Sequence, residues 1–499
     1  MAEAIVSAVI DQLVSVIGKE LEQEVRLVVG VRKEVKKLET KLTLIKAVLE
    51  DAEKKEIHEN AVKIWLEDLK DVMYDADDVL DEWNTRILIS RIEGFTADGS
   101  HVANKMCSYL LSPCACFKHG GARYDIARRI KDIRERLAEL TFLRTLDLSS
   151  DEYGGPPHLE VLPSEVSRLL HLRYLDLSGK QRMTELPETM RSLVNLQTLK
   201  LNRCPKFRKL PEEIGELSNL RHLEVEDTPH LIYYPRGCIE RLSQLRTLSK
   251  FVVSDGSRKG SVIGELGNLN FLKGRLSITG LRHVKTGNEA EQAELQKKIN
   301  ISYLVLNFGD SKYGTDIEHV SSEEEIRRME GVLENLEPHK ESLERLEIRN
   351  YVGSTLPLTW MMSNITYLSL SYCPNLKVEP HYLFPPRLET LELYWDVGVL
   401  SKSLMSLTHN NNNLKTLQIW FCPHSSLPQG LNQLTSLQQL SFRSCEFLFK
   451  PEELKPLTML RKLYISGLSE RSRELDWSIL THIPNIQINF EINFNVAEN

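Results

Sequence analysis

The 499-residue sequence has no run of eighteen or more apolar residues, so no stretch reads as a membrane-spanning helix. Its N-terminus is apolar, but no basic leader precedes it and Asp11 interrupts it, which argues against a secretion signal. Positive charge is not in excess: 63 Lys and Arg stand against 70 Asp and Glu, a formal charge of −7, which disfavours nucleic acid as a bulk partner. Gly-Lys pairs are few: Gly18-Lys19 is followed by Glu20 and has Leu13 at the first-glycine position, and the other is Gly179-Lys180. Gln181 follows it, and Tyr174 stands where a phosphate-binding loop needs its first glycine. Without that Gly-rich cradle of backbone N–H groups the expected cofactor list is empty, and neither binding nor hydrolysis of ATP is expected. The 14 histidines are scattered, and no Cys or Ser stands in a nucleophile setting, so an enzyme is not expected. His101, Cys107, Cys114, Cys116 and His119 cluster in one polar stretch. Their Cys-x-Cys spacing matches no common zinc pattern, and no metal site is expected.

What the sequence has in abundance is one unit, Leu-x-x-Leu-x-Leu. LRYLDL at Leu172 is its clearest copy, and it runs from Leu143 almost to the C-terminus. Its first residue recurs at Leu196, Leu220, Leu245, Ile301, Leu343, Ile365, Leu388, Leu414, Leu437, Leu460 and Ile483, with successive units often 22 to 26 residues apart. This is the leucine-rich-repeat period. No single unit can bury its own leucines, but short parallel strands stacked in register share one continuous core. Each buried leucine contributes roughly 1.5–3 kcal/mol. Cys204, Cys373, Cys422 and Cys445 each fall eight residues after the first leucine of their unit and read as buried packing residues.

Before the repeats the periodicity changes. Ile5, Val9, Leu13, Val16 and Ile17 mark one amphipathic helix. Val31, Val35, Leu38, Leu42, Ile45, Leu49 and Ala52 form a heptad seam, and Val62, Trp65, Leu69, Val72, Ala76, Val79 and Trp83 form another. After a polar stretch at about 93–121, Ile126, Ile130, Ile133, Leu137 and Leu140 give a fourth helix. Four helices with one apolar stripe each make a bundle. The expected architecture is therefore multidomain: an all-α four-helix bundle over 1–140, then a leucine-rich-repeat solenoid, a curved parallel β-sheet, over 141–499. On the third helix Asp68, Asp71, Asp75, Asp78 and Glu82 make a stripe of like charge. It is either a solvated face or a docking strip for a basic surface.

The run KIWLEDLKDVMYDADDVLDEW (Lys63 to Trp83), together with VLEDAEKKEI and RYDIARRIKDIRERL, resembles the N-terminal coiled-coil domain of plant nucleotide-binding leucine-rich-repeat disease resistance proteins. Repeats with Leu-Pro turns, such as ELPETMRSLVNLQTLKL, are similar to the same family. The resemblance implies a role in plant innate immunity: recognition of a pathogen effector or guarded host protein by the repeats, with protein–protein interaction and signalling through the helical domain. Full-length relatives carry an ADP/ATP switch between these parts, whereas here Thr141-Phe142-Leu143 already begins the first repeat. Asp77-Asp78-Val79 superficially resembles the switch's magnesium motif, but no apolar strand precedes it. Two other readings stay open: a decoy or regulator of full-length receptors, and a gene-model fragment of a switched receptor. Met1 to Glu20 is similar to membrane-acting first helices of the family, with Asp11 where those place an acidic pore residue. Packing in the bundle is favoured over a peripheral membrane contact. The expected location is cytoplasmic, with the plasma membrane as the secondary place.

Three residue sets stand out. The family's acidic signature falls on Asp77, Asp78 and Asp81, and in the family it docks onto arginines of the repeats. Arg144, Arg173, Arg221 and Arg246 share the second position of their units and should stack as a basic ladder that could receive it. In the later repeats Tyr394, Trp395 and Trp420, with Arg443, form the candidate ligand face, as clustered aromatics and arginine do at binding hot spots. Phe442 occupies a leucine position and should be core.

Overall fold

The computed structural model describes residues 2–21, 38–39, 42, 69–85, 128–136, 144–149, 160, 162, 164–254, 259–309, 322–361, 363–377, 384–408, 413–424, 426–445, 447, 450–468 and 476–490. The Cys107–Cys116 cluster, Asp68 and most of the second seam lie outside these residues. The chain forms two compact units, one of Met1–Leu148, Leu162–Asp176 and Thr189–Leu196, the other of Ser149–Val161, Leu177–Glu188 and Gln197–Asn499.

The first unit contains the helix Ala2–Leu21 and helical residues 38–39, 42, 69–85 and 128–136. The expected seams are its core. Val9, Leu13, Leu38, Leu42, Leu69, Val72, Ala76, Val79, Trp83, Ile130 and Ile133 are all buried. Met73 and Leu80 widen the stripe of helix 69–85 beyond a strict heptad seam. Part of the acidic stripe has partners inside this unit: Glu82 pairs with Arg129, and Asp75 with Arg136, both from helix 128–136. The basic surface facing this part of the stripe is thus the fourth helix. The same unit carries strands β1 (Thr145–Asp147) and β2 (Tyr174–Asp176), paired in parallel with Leu146 beside Leu175.

The second unit opens with β3 (Thr198–Lys200), β4 (His222–Glu224) and β5 (Thr247–Leu248), successive parallel neighbours. Ser249 separates β5 from β6 (Lys250–Val252), which begins a ten-stranded parallel sheet. Its other strands are β7 (Lys273–Thr279), β8 (Asn300–Asn307), β9 (Arg345–Arg349), β10 (Tyr367–Ser371), β11 (Thr390–Tyr394), β12 (Thr416–Trp420), β13 (Gln439–Arg443), β14 (Lys462–Leu468) and β15 (Asn485–Phe490), adjacent in chain order. The leucines stack where the period puts them: Leu346, Leu368, Leu391, Leu417, Leu440 and Leu463 form one column. All six are essentially inaccessible.

Cys204, Cys373, Cys422 and Cys445 are buried as expected. Sγ of Cys204 donates to the Leu177 carbonyl and Sγ of Cys445 to that of Ile419, each at 3.3 Å, so the thiols tie one repeat to the one before. Burial pushes the Cys445 thiol up to about 11 and the Cys373 thiol up to about 12, which keeps both protonated and unreactive.

β7 is a repeat that the Leu-x-x-Leu-x-Leu pattern passes over. Its buried residues, Leu272, Leu276 and Ile278, carry one residue more between the first two. Gly274 lies in that longer interval at φ 75°, and the pairing with β8 shifts register there: Gly274 faces Ile301 and Arg275 faces Tyr303, which leaves Ser302 of β8 as the bulged residue. Between β8 and β9 the chain inserts an amphipathic helix, Glu323–Asn335, capped by Ser322 Oγ accepting from the Glu325 amide at 3.2 Å. Met329, Val332, Leu333 and Leu336 are buried, whereas Ile326 is half-buried.

Candidate recognition face of the repeats

In register, parallel pairing places equivalent outward side chains of neighbouring strands beside one another, so the repeat sequence writes columns across the sheet. One column reads Arg349, Ser371, Tyr394, Trp420, Arg443 from β9 to β13. The column next to it reads Glu347, Ser369, Glu392, Gln418, Ser441. Tyr394 meets Trp420 edge-on at 5.0 Å, and the Arg443 guanidinium lies 4.8 Å over the Trp420 ring. Arg345 lies 4.0 Å over Tyr367 and 4.8 Å over Tyr303. Glu347 is buried and accepts from Tyr303 and Arg349. Glu392 Oε2 accepts from the Tyr367 hydroxyl at 2.6 Å and the Tyr394 hydroxyl at 3.0 Å. Burial, with the Glu392 carboxylate beside them, raises both tyrosine pKa values, so these hydroxyls stay donors.

Beside these columns runs a second device. Arg203, Asp227, Asn350, Tyr372, Trp395, Phe421 and Ser444 each fall seven residues after the first leucine of their unit, and each has φ between 50° and 58°. Gly179 and Gly467 occupy the same position with φ 78° and 79°. The turn leaving each of these nine strands therefore takes a left-handed residue, which is uncommon for any non-glycine and costly for an aromatic one. Three successive repeats nonetheless place aromatics there. Trp395 stacks on Tyr372 at 4.4 Å and on Phe421 at 5.1 Å, and Phe421 is 39% exposed. Trp395 and Phe421 of this column, together with Tyr394, Trp420 and the two glutamates, border a cavity of about 330 Å³.

The structure thus gathers Tyr394, Trp395, Trp420 and Arg443 at one place. Trp395 belongs to the turn column, and its rings face its aromatic neighbours. Phe442 is core, 1% exposed. Glu392, Glu347 and Arg345 were not singled out in the sequence, although their outward positions between leucines are the available signal. Of the basic ladder, Arg144, Arg173, Arg221 and Arg246 are all exposed. The Arg173 amide donates to the Arg144 carbonyl, and the Arg246 amide to that of Arg221, both at 2.7 Å. Of the acidic signature, Asp78 and Asp81 are exposed and Asp77 half-buried. Burial, then repulsion from Asp81 and Asp78, raises the Asp77 pKa. Gln12 Nε2 donates to Asp81 Oδ1 at 3.4 Å. Among the described residues no ion pair joins the signature to Arg144 or Arg173. Among them, too, no helix is long and apolar enough to cross a membrane.

Parallel leucine-rich repeats and a helical N-terminal region define a repeat protein built for binding. Residues 5–117 match the Rx N-terminal domain, and residues 263–396 match the R13L1/DRL21 leucine-rich repeats. The chain thus carries an Rx-type N-terminal region and R13L1/DRL21-type repeats, and its homologues include plant disease resistance proteins. It is 42% identical over 330 residues to the disease resistance protein RGA1 of Solanum bulbocastanum, covering 63% of this chain and 30% of the relative. It is 34% identical over 239 residues to RGA2 of the same species, covering 45% and 23%. The chain thus spans less than a third of either relative. A leucine-rich-repeat protein of Leptospira interrogans superposes with a TM-score of 0.38 at 20% identity, covering 71% of this chain and 92% of that one.

Proposed function

We propose that this chain acts in plant innate immunity without catalysing a reaction. In this reading the repeats recognise a protein, either a pathogen effector or a guarded host protein. The helical domain mediates protein–protein interaction and signalling in the cytoplasm. The observation that carries the reading is the cluster of Tyr394, Trp395 and Trp420 around one cavity, with the Arg443 guanidinium over the Trp420 ring. Large rigid aromatics and arginine supply most of the binding energy at protein interfaces. The similarity to disease resistance proteins of Solanum bulbocastanum supplies the biological setting.

The test is transient expression in leaf tissue beside a panel of effectors, scored for cell death and restricted pathogen growth. A Y394A/W420A variant should lose an effector-dependent response by tenfold or more in effector dose, about 1.4 kcal/mol or more of binding. Protein level should be unchanged. Responses of equal strength in the variant would sink the reading.

Charge complementarity supports a second element of the proposal, in which Asp77, Asp78 and Asp81 pair with the arginine ladder. Reversing Arg173 and Arg221 to glutamate should then make the helical domain more sensitive to limited proteolysis of the full chain. Unchanged cleavage rates would count against the pairing.

A further inference from the structure

On the recognition face the two glutamates differ in how their charge is met. Glu347 is neutralised by Arg349. At the two ends of the cluster the protein supplies its own cations to the aromatic faces, Arg345 on Tyr367 and Arg443 on Trp420. Glu392, in the middle strand, has no cationic partner among the described residues. Both tyrosine hydroxyls donate to its Oε2, and no described residue donates to its Oε1. The cavity beside it is lined by two glutamates, one arginine, two serines and five aromatic side chains, a net charge of −1 within a largely aromatic wall. Partial burial makes that uncompensated charge count for more than it would in water. Covering it with an apolar or anionic side chain would leave a carboxylate desolvated and unpaired.

Resting on the reading that this face binds a protein, we propose that the cavity receives the guanidinium of an arginine presented by that protein. Arginine fits better than lysine for three reasons. Its planar fork carries several donors and can satisfy Oε1 together with a neighbouring hydroxyl oxygen. It is more weakly hydrated than an ammonium, and it packs against aromatic rings. The occupant completes, from outside, the series of cation-on-aromatic contacts that Arg345 and Arg443 make from within.

The test uses the full chain and N-acetyl-arginine amide as probe, followed by saturation-transfer NMR. N-acetyl-citrulline amide is the neutral isostere and N-acetyl-lysine amide the alternative cation. Saturable binding of the arginine probe is expected, at least about tenfold weaker for lysine and for citrulline. Glu392→Gln can still accept from both tyrosines, so the fold should hold. It should weaken the arginine probe about tenfold or more, whereas Glu389→Gln, on the same repeat but outside the cavity, should not. Equal binding of citrulline, equal binding of lysine, or an unaffected E392Q variant would each overturn the proposal.

The two readings fail separately. If an effector response survives E392Q but is lost in Y394A/W420A, the face stands and the arginine pocket falls. If the response survives Y394A/W420A, the face is wrong, and the probe titration still decides whether the pocket binds a guanidinium.

Discussion

Lys298 stands three residues before the first position of its unit, where Leu217, Leu242, Leu434 and Leu457 stand in others, and it is wholly inaccessible. Its ammonium reaches only the carbonyls of Gly267 and Leu269, both at 3.4 Å. Burial lowers its pKa to about 8 from 10.5. Between those values the unfolded chain binds more protons than the folded one, so folding gains stability as pH rises through that window. Below pH 8 the buried charge carries its full cost. Lys298→Met, similar in volume, should therefore stabilise the repeats at pH 7 by about 2–3 kcal/mol, and the gain should vanish toward pH 10.5. Urea melts of both proteins at pH 7 and pH 10 would check this, and an equal gain at both values would contradict it. The repeat pattern placed Lys298 in the core in principle, but a unit read from Ile301 onward does not include it. Tyr394, Trp420 and Arg443 were legible because a strand's alternation fixes which side each residue faces. Trp395 was legible as an aromatic but not as a left-handed turn residue. The glycines, Asn350 and Asp227 at the same offset were the signal that could have shown it.

At the scale of elements, the helical seams were readable residue by residue because burial needs only a 3.6-residue period. The acidic stripe was not, since its partners Arg129 and Arg136 come from a helix some fifty residues further along the chain. Reversing both arginines to glutamate would set like charges against Glu82 and Asp75. The variant should lose about 1–2 kcal/mol, seen as a lower melting temperature of the helical signal. The loss should shrink in 1 M salt, because these pairs are largely exposed. Melting curves that coincide with wild type would show the pairs to be idle. β7 escaped the sequence pattern for a different reason. One extra residue between Leu272 and Leu276 is enough to break a fixed-spacing motif.

The whole repeat array follows a nearest-neighbour logic, in which each repeat touches only those beside it. Removing one complete unit, residues 388–413, would bring β10 beside β12 with Leu368 facing Leu417, as Leu391 now faces both. Such a variant should still fold cooperatively by circular dichroism while losing arginine-probe binding, since Glu392, Tyr394 and Trp395 go with it. Loss of the cooperative transition would show that coupling extends beyond neighbours.

The left-handed turn column carries the same independence into heredity. One backbone shape is shared by arginine, aspartate, asparagine, tyrosine, tryptophan, phenylalanine, serine and glycine. A single codon change at any of these places rewrites one letter of a surface text and leaves the spelling of every strand intact. A lineage facing changing adversaries could edit that text one letter at a time, without refolding the page on which it is written.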